Sequence, residues 1–505
     1  MNFKSRISNL NFLNKSRYTS LFILLIILLL GGFLRFYKIR EYMTFLGDEG
    51  RDMLIVKRMI VDHKFTLLGP ITSVGSMYMG PIYYYFMVPF LWLWNLDPVG
   101  PSIMVAIISV FTIVLMYKVG AEFFNEWIGL LSAFIYAISR LAIIYGRSSW
   151  NPNIVPFFAL LIIYCLLKVI VKKQYYWLIL AGVSLGVLLQ LHYTTLMFIP
   201  IIICSLALIR FRVPSKYYFG SILGFLFLYS PFLLFEIRHN FVNLQNVWKF
   251  IWQQKRSEPP TVFSTFYIIW DSLIRIFWRL VVIASAELTK IFLLLVAIMI
   301  LFWSKKEKNK EKILALKIIM IWTIIGIVSY GFYHGIIYDY YYVSLFPVPI
   351  LLSSIALYSL FNINKLGKTV TVFILFIIIF FNIKNNPLMI EPNNMLKNTE
   401  IISRFIYDKV GDKPYNFALI ATHNSDHAYR YFLEIWGNPP ITIENPNIDP
   451  ERKTVTEQLF VVCEEKICQP LGHSLWEIAG FGRAEITDEW SVVTTKVFRL
   501  KHYQD

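Results

Sequence analysis

The chain has 505 residues, of which 57% are hydrophobic and 17% aromatic. Many apolar runs approach the length needed to cross a bilayer, which excludes a soluble globular enzyme and predicts a polytopic α-helical membrane protein. The formal net charge of +16 does not indicate nucleic acid binding, because most Lys and Arg residues fall in short loops beside apolar runs, where they set the orientation of the spans.

The first apolar run extends from Leu21 to about Phe36 and is preceded by four basic residues, Lys4, Arg6, Lys15 and Arg17. This run is too long for the hydrophobic core of a cleaved signal peptide, so we interpret it as a retained span. The positive-inside rule then places the N-terminus in the cytoplasm and the following loop, which carries Asp48, outside the cell membrane.

Ten further apolar runs bring the total to about eleven predicted spans: 101–117, 128–146, 154–171, 176–191, 194–209, 217–235, 281–303, 313–333, 343–360 and 369–384. The short aromatic segment 81–94 is interpreted as an interfacial helix, because only then do five basic groups in the loops lie in the cytoplasm. The segment 263–278, which carries Asp271, Arg275 and Arg279 on one side of an apolar helix, is interpreted in the same way. Both helices would lie on the outer surface.

Residues 386–505 lack long apolar runs and are predicted to form a small extracytoplasmic α/β domain, following a membrane domain of residues 1–385. The predicted strands are 417–420, 459–462 and 491–494, with a helical pattern in 426–436. Because this domain would lie in an oxidising compartment, Cys463 and Cys468 could form a disulfide. Their spacing permits the bridge but does not demonstrate it.

The stretch Gly47–Asp52 contains three carboxylates and a guanidinium just after the first span. A solvated helix start would explain these acids, because carboxylates favour the positive end of a helix. The functional alternative is that Asp48 or Glu49 activates a hydroxyl as a general base, or that the pair holds a divalent cation. The topology favours function, because it places most other polar groups of interest on the same side of the membrane.

Arg147, Asn151 and Asn153 lie between two predicted spans. A guanidinium suits bidentate binding of phosphate, and Asn side chains can bind sugar hydroxyls. The structural alternative is a capped helix end with Pro in its first turn. Arg238 is a second candidate for phosphate binding, with an ion pair to Glu236 as its alternative.

Two further candidates are His192-Tyr193 and the run Tyr338-Asp339-Tyr340. Tyrosine rings stack on the apolar faces of sugars, and Asp339 can bind their hydroxyls, although aromatic belts and structural histidines explain such residues as well. No metal-ligand spacing, nucleotide-binding loop or serine nucleophile motif is evident, so no cofactor is predicted beyond the open question of a divalent cation at Asp48 and Glu49.

The order of these motifs resembles the GT-C membrane glycosyltransferases. The resemblance rests on Asp-Glu at the start of an amphipathic helix, on Gly-Pro-Ile-Tyr-Tyr-Tyr at 80–85, and on a span that ends in Arg147 and Trp150-Asn-Pro-Asn153. It is good over residues 20–200 and looser to about 360. Within this superfamily the chain is most similar to the protein O-mannosyltransferase and aminoarabinose transferase group.

This resemblance implies an inverting transfer of a sugar from a polyprenyl phosphate to an acceptor outside the cytoplasmic membrane. It implies that Asp48 acts as the base or orients the acceptor, with Glu49 as its neighbour. Asn151 or Asn153 stands where relatives often have a second Asp, so a mechanism with two acids is not carried over. The implied partners are the lipid-phosphate donor, membrane lipids, and a protein, lipid or glycan acceptor, with no nucleic acid.

The predicted site therefore has three parts. The catalytic residues are Asp48 and Glu49, and the donor phosphate is bound by Arg147 and Arg238. The residues predicted to bind the sugar or the acceptor are Asn151, Asn153, His192, Tyr193, Glu236, Tyr338, Asp339 and Tyr340. Two other functions stay open: a lipid-linked glycan polymerase or ligase, and a transporter or flippase. The transporter is disfavoured because few ionisable residues fall within spans and no sequence repeat is evident.

Overall fold

The computed structural model describes residues 3–72, 76–253, 261–333 and 335–503. The basic residues Lys4, Arg6, Lys15 and Arg17, on which the orientation was predicted, have side chains outside the described part of the chain. The contacts divide the chain into two units. The first unit comprises Met1–Tyr37, Thr66–Phe86 and Ile103–Glu391, and the second comprises Lys38–Phe65, Met87–Ser102 and Pro392–Asp505.

The α-helices before residue 391 are α1 (Phe3–Phe36), α2 (Ile39–Tyr42), α3 (Gly47–Val61), α4 (Ile82–Leu93), α5 (Val99–Phe123), α6 (Glu126–Ile138), α7 (Arg140–Tyr145), α8 (Val155–Ile170), α9 (Trp177–Leu191), α10 (Phe198–Leu206), α11 (Ser215–Arg238), α12 (Val242–Gln253), α13 (Val262–Phe277), α14 (Ala286–Lys306), α15 (Lys310–Tyr330), α16 (Pro347–Phe361) and α17 (Lys365–Lys384). Short 3₁₀ helices occur at Asn151–Ile154, Tyr193–Met197, Asp339–Leu345 and Pro387–Met389, and a π-helical turn occurs at Trp278–Val282.

Seven helices in the described ranges are long and apolar enough to cross a membrane: α1 from Tyr18, α5, α8 with its preceding turn, α11, α14, α15 and α17. The 3₁₀ helix Asp339–Leu345 and α16, bent by 57°, form a candidate eighth span. The other three predicted runs coincide with shorter apolar helices, α6, α9 and α10, and the segment predicted to be interfacial coincides with α4. The predicted polytopic helical architecture is confirmed.

Small residues bring α9 and α11 into close contact. A Cβ atom added at Gly182 would lie 2.1 Å from the Ser221 carbonyl oxygen, and one added at Gly186 would lie 2.9 Å from the carbonyl oxygen of Phe225. Apolar helices gain little from hydrophobic burial inside a bilayer, so close backbone packing between small residues stabilises their association. Larger residues at these two glycines would force the helices apart.

The C-terminal sequence forms a four-stranded sheet with strand order β1-β2-β4-β3, in which β1 and β2 are parallel and the other neighbours are antiparallel. Its elements are α18 (Met395–Val410), β1 (Asn416–Ile420), α19 (His427–Ile435), β2 (Gln458–Cys463), α20 (Trp476–Ala479), β3 (Ala484–Val492) and β4 (Thr495–His502). Strands β1 and β2 are buried on both faces, which explains their continuous apolar runs.

The predicted strands 417–420 and 459–462 are confirmed as β1 and β2, and the predicted helix is α19. The predicted strand 491–494 is wrong in its bounds, because residues 493 and 494 form the turn between β3 and β4. Val493 is apolar like Val492, so the apolar pattern of the strand continues into the turn. Cys463 and Cys468 are joined by a disulfide directly after β2.

In the second unit the C-terminal sheet and helices pack on a segment from the start of the chain. Helix α3 contacts α19, and α2 contacts α18. Phe45 packs against the rings of Tyr431 and Phe432, with centroids 6.3 and 5.7 Å away. Within the second unit, the part of the C-terminal sequence from Pro392 onwards therefore packs against the segment that carries Asp48.

Candidate functional site

Asp48 lies in the first turn of α3, with 55% of its side chain exposed. Arg51 Nη1 donates a hydrogen bond to Asp48 Oδ1 at 2.9 Å, while Arg51 Nε and Nη2 donate to Oδ1 of the buried Asp52 at 3.1 and 2.9 Å. The guanidinium therefore links an exposed carboxylate to a buried one. Asp48 is held in a defined orientation by its ion pair with Arg51.

Glu49 turns away from solvent and caps its own helix. Its Oε2 accepts a hydrogen bond from the Leu46 backbone N–H at 3.0 Å, and only 5% of the residue is exposed. Burial raises the pKa of Glu49 to about 7, with smaller contributions in the same direction from Asp48 and Asp52 and opposing contributions from backbone hydrogen bonds. This arrangement favours a structural role for Glu49, and its catalytic role stays a prediction.

The segment before α19 supports the start of α3 directly. Asn424 Oδ1 accepts a hydrogen bond from the Gly47 N–H at 2.8 Å, while Asn424 Nδ2 donates to both Glu464 oxygens at 3.0 and 3.1 Å. The first N–H groups of a helix have no partner within the helix. Asn424 supplies one, and it connects the Asp48 turn to the end of β2.

Arg147 lies in the first unit and is 98% buried. Its Nη1 and Nη2 donate hydrogen bonds of 2.6 Å to the carbonyl oxygens of Leu34 and Tyr37. Carbonyl groups at the C-terminal end of a helix are unpaired within the helix and attract cations. Arg147 thus stabilises the end of α1, which favours a structural role. Its binding of phosphate stays a prediction.

The two predicted Asn residues stabilise the 3₁₀ helix that precedes α8. Asn151 Nδ2 donates to the Leu191 carbonyl oxygen at 2.5 Å, and Asn153 Nδ2 donates to the Ser148 carbonyl oxygen at 2.7 Å. Both residues are buried. Asn153 Oδ1 is a buried acceptor with no hydrogen-bond partner among the described residues. A hydroxyl donor from a ligand would satisfy it.

Glu236 and Tyr193 take part in the packing of the loop that follows α11. The Glu236 carboxylate accepts hydrogen bonds from the N–H groups of Asn243 and Leu244, at 3.2 and 2.9 Å, in the first turn of α12. The Tyr193 hydroxyl donates to the Tyr78 carbonyl at 2.6 Å and accepts from Asn243 Nδ2 at the same distance. In contrast, Arg238 is exposed and makes no ion pair within the described ranges.

The structure brings three predicted residues together in an aromatic cluster, which we define as Trp150, His192, Tyr338, Tyr340 and Tyr341. Tyr340 lies at its centre, with ring centroids 4.6 Å from Trp150, 5.9 Å from His192 and 4.7 Å from Tyr341. Tyr338 stacks on Tyr340 with centroids 5.7 Å apart. Such a group of rings can bind the apolar face of a sugar or an isoprenoid chain.

Asp339, within the same Tyr-rich run, is bound by two arginines. Arg275 Nε donates to Oδ1 at 2.8 Å and Arg279 Nε donates to Oδ2 at 2.9 Å, and each arginine makes a second contact of 2.7 Å through Nη2. Arg140, at the start of α7, lies within electrostatic range of Asp339 and Arg279. Its Nε is buried and has no hydrogen-bond partner in the part of the chain that is described.

We call Arg140, Arg275 and Arg279 the arginine cluster. Two of its guanidinium groups bind the Asp339 carboxylate and the third lies within electrostatic range of it, while Asp271, the acid of α13, is exposed. The cluster was not among the predicted site residues. A signal was present, because Arg275 and Arg279 are four residues apart and so share a helix face, and because Arg140 is an ionisable residue within an apolar run.

Among the described residues no group of three or more His, Cys, Asp or Glu side chains is arranged to hold a metal ion. Near Asp48, the carboxylates are directed to Arg51 and to the Leu46 N–H instead.

Residues 79–235 match the protein family described as dolichyl-phosphate-mannose-protein mannosyltransferase. A comparison with curated proteins finds no match. Among solved structures, the chain is similar to ArnT from Cupriavidus metallidurans in the apo state, with a TM-score of 0.60 and 11% sequence identity, covering 96% of this chain and 98% of that one.

The structure of the same ArnT bound to undecaprenyl phosphate gives a TM-score of 0.59 at 11% identity, with coverage of 95% and 97%. The archaeal oligosaccharyltransferase AglB from Archaeoglobus fulgidus, in complex with an inhibitory peptide and a dolichol-phosphate, gives 0.51 at 12% identity, covering 96% of this chain and 74% of that one. These likenesses show the fold. The resemblance to the GT-C membrane glycosyltransferases, predicted from the sequence, is confirmed.

Proposed function

We propose that this chain is an integral membrane glycosyltransferase that transfers a sugar from a polyprenyl-phosphate donor to an acceptor hydroxyl, with inversion and on the extracytoplasmic side. The fold and the family matched by residues 79–235 support this proposal. Two of the similar structures hold lipid phosphates, undecaprenyl phosphate in ArnT and a dolichol-phosphate in AglB.

The arginine cluster is the observation that carries the proposal. Guanidinium groups bind phosphate oxygens through paired hydrogen bonds, and they retain their charge under all ordinary conditions. Asp339 neutralises one of the three positive charges and orients Arg275 and Arg279. The two remaining positive charges, together with the unpaired Nε of Arg140, suit the head group of a lipid phosphate.

The sugar of the donor is assigned to the aromatic cluster, because Tyr338 and Tyr340 flank Asp339 in the chain. Rings at this position can stack on the sugar, while the neighbouring arginines bind the phosphate. The unpaired Oδ1 of Asn153 offers an acceptor for a sugar hydroxyl. His192 contributes the edge of its ring to this site. Its Nδ1 already has a partner, the Thr194 hydroxyl at 2.8 Å.

In the proposed reaction the acceptor hydroxyl is oriented by Asp48 and attacks the anomeric carbon in a single displacement. Negative charge grows on the departing lipid phosphate, and fixed cations stabilise it in the transition state. A phosphate is a good leaving group, so no general acid is required. This chemistry needs one carboxylate on the acceptor side, which agrees with the presence of Asn151 and Asn153 where a second acid would be expected.

This assignment of the donor phosphate differs from the prediction that Arg147 and Arg238 bind it. The two terminal nitrogens of Arg147 already donate to carbonyl oxygens. Arg238 is exposed and remains a candidate for a weaker contact with phosphate. We assign the main contact to the arginine cluster, because Arg275 and Arg279 bind the same carboxylate and Arg140 lies within electrostatic range of both Arg279 and Asp339.

Binding of undecaprenyl phosphate to the purified protein in detergent tests the donor site. Replacement of one charge-assisted contact changes the binding free energy by about 1.5–3 kcal/mol, so Arg140→Ala and Arg279→Ala should each weaken binding by about 10- to 100-fold. Lys290→Ala is the matched control, because Lys290 belongs to the same unit and its ion pair among the described residues is with the exposed Glu287, at 2.8 Å. If the wild type and the three variants bind undecaprenyl phosphate with equal affinity, the arginine cluster is not part of the donor site.

Transfer from radiolabelled polyprenyl-phosphate mannose to a serine- and threonine-rich peptide tests the reaction itself. Asp48→Asn should abolish transfer while the protein still inserts and binds undecaprenyl phosphate, because the carboxylate acts on the acceptor. Near wild-type turnover by this variant would remove Asp48 from the mechanism. Stereochemical analysis of the product tests inversion.

The proposed position of the site on the outer side of the membrane is supported by the basic residues in the short loops, for example Lys172 and Lys312. The topology predicted from the sequence places these residues in the cytoplasm. A cysteine introduced at Ile448, which is 73% exposed in the second unit, should react with a membrane-impermeant maleimide in intact cells. The exposed Cys204 is first replaced by Ser. Labelling only after permeabilisation would place the C-terminal sequence in the cytoplasm and refute this orientation.

A further inference from the structure

His427 begins α19 where this helix packs on the first turn of α3. A Cβ atom added at Gly47 would lie 1.8 Å from Ser425 Oγ, and one added at Gly50 would lie 2.3 Å from the Ala428 backbone nitrogen. Only glycine allows so close an approach. The segment from Ser425 to Ala428 therefore lies directly against the turn that carries Asp48.

The hydrogen bonds of His427 favour one tautomer. Its Nδ1 lies within hydrogen-bond distance of Ser425 Oγ, at 2.9 Å, and the carboxylate oxygen Asp426 Oδ1 lies 3.7 Å away. A proton on Nδ1 can be donated to Ser425 Oγ, is attracted by the Asp426 carboxylate, and leaves the lone pair of Nε2 free. In the described part of the chain Nε2 has no partner, and 42% of the side chain is exposed.

Four charged groups face this imidazole. Asp426 and Arg430 come from its own helix, and they are bound to each other. Asp48 and Arg51 come from α3. Burial lowers the pKa of His427, the two arginines act in the same direction, and the two carboxylates oppose them. The ring is therefore neutral at neutral pH and can accept a proton.

The Asp48 carboxylate accepts a hydrogen bond from Arg51 at 2.9 Å, which fixes its orientation beside this segment. We propose that His427 Nε2 takes the proton of the acceptor hydroxyl and that Asp48 orients this hydroxyl, an inference that rests on the transfer reaction proposed above. The C-terminal sequence would thus supply a reacting group, in addition to stabilising the loop of Asp48.

The step balances without a further reactant. The O–H bond of the acceptor breaks and its proton moves to Nε2, while the oxygen forms a bond to the anomeric carbon. The bond between that carbon and the phosphate oxygen breaks, and its electron pair leaves with the lipid phosphate. The imidazolium then returns its proton to water.

The pH profile of kcat tests the inference on the full-length protein, with polyprenyl-phosphate mannose and the serine- and threonine-rich peptide as substrates. Loss of a general base typically costs a factor of about 100 to 10,000. His427→Gln should lower kcat by at least about 100-fold at pH 7, leave the affinity for undecaprenyl phosphate unchanged, and remove the acidic limb of the profile. A purely structural role would lower kcat equally at every pH.

His423→Gln is the matched control, because His423 is exposed in the same segment, and its kcat should equal that of the wild type. Ser425→Ala removes the partner of Nδ1 and should shift the acidic limb while leaving it present. A His427→Gln variant that keeps this limb, or more than half of the wild-type turnover, overturns the inference while the transfer reaction stands. Absence of transfer by the wild type overturns both.

A second measurement does not depend on turnover. Diethyl pyrocarbonate modifies free imidazole nitrogens, so mass spectrometry of the treated full-length protein at pH 7 should find His427 modified, and less so when the peptide is present. If His423 is modified and His427 is not, Nε2 is not available as a proton acceptor and the inference fails, whatever the outcome of the transfer assay.

Discussion

The close contact between α3 and α19 allows a quantitative prediction of the stability lost in Gly50→Ala. The added methyl carbon would lie 2.3 Å from the Ala428 nitrogen and 2.4 Å from its Cα, whereas carbon atoms in good contact are about 3.5–4.0 Å apart. The clashing atoms belong to the backbone, so no change of rotamer relieves the clash. Helix α19 must therefore move away from α3 by roughly 1 Å.

The energy of this change has two parts. Overpacking costs about 1–3 kcal/mol, and we take the upper value because the backbone itself must shift. Alanine in place of glycine returns about 1 kcal/mol of helix propensity. The second unit should therefore lose about 2 kcal/mol of stability, which corresponds to a roughly 30-fold change in an equilibrium constant.

Hydrogen exchange measures this loss locally, because amide protection reports the free energy of opening for each region. Protection of amides in α3 and α19 should fall by about 30-fold. Gly32→Ala is the matched control, since no atom of the described residues lies within 4 Å of the added carbon, and it should leave α3 and α19 unchanged. Unchanged or increased protection of α3 and α19 in Gly50→Ala would refute the close packing on which both Asp48 and His427 depend.

Three further predictions follow from the same geometry. Because burial raises the pKa of Glu49 from 4.5 to about 7, the folded protein holds a proton that the unfolded chain releases. The free energy of unfolding of the wild type, relative to that of Glu49→Gln, should therefore fall by about 3 kcal/mol between pH 4.5 and 7 and stay level above pH 7. Hydrogen exchange of α3 measures this difference. If the difference between the two proteins does not change with pH, the inward placement of this carboxyl group is refuted. Arg147→Ala should lower the thermal stability of the first unit by about 3 kcal/mol, because it removes two hydrogen bonds to the end of α1; a fully stable variant would return Arg147 to the donor site. Cys463→Ser should increase proteolytic cleavage after β2, measured by limited proteolysis, because the loop to Cys468 is no longer closed; equal cleavage would show that the disulfide does not restrain this loop.

Several features were predictable because they depend on local chemistry. Apolar runs near the length of a span must form helices in a bilayer, since backbone groups there have no water as a partner. This reasoning found the first helix and ten later ones. The Asp48 segment was also recognisable as a helix start, with acids in its first turn.

The roles of individual polar residues were less predictable, because one residue type serves both structure and binding. Arg147 was predicted to bind phosphate, and the structure places its guanidinium on the carbonyl groups of Leu34 and Tyr37. Asp339 was predicted to bind sugar, and it is bound by Arg275 and Arg279. In both cases the partner lies 60 or more residues away, where spacing in the sequence carries no information.

The amino-acid sequence by itself determined the membrane class, the number and approximate limits of the apolar helices, and the family resemblance that suggested lipid-phosphate chemistry, because these follow from hydropathy and short motifs. Only the tertiary structure decided that Arg275 and Arg279 bind Asp339, with Arg140 within electrostatic range, and that His427 lies against the turn of Asp48. Such arrangements depend on helix packing between distant segments, where a few glycines set how closely the backbones approach.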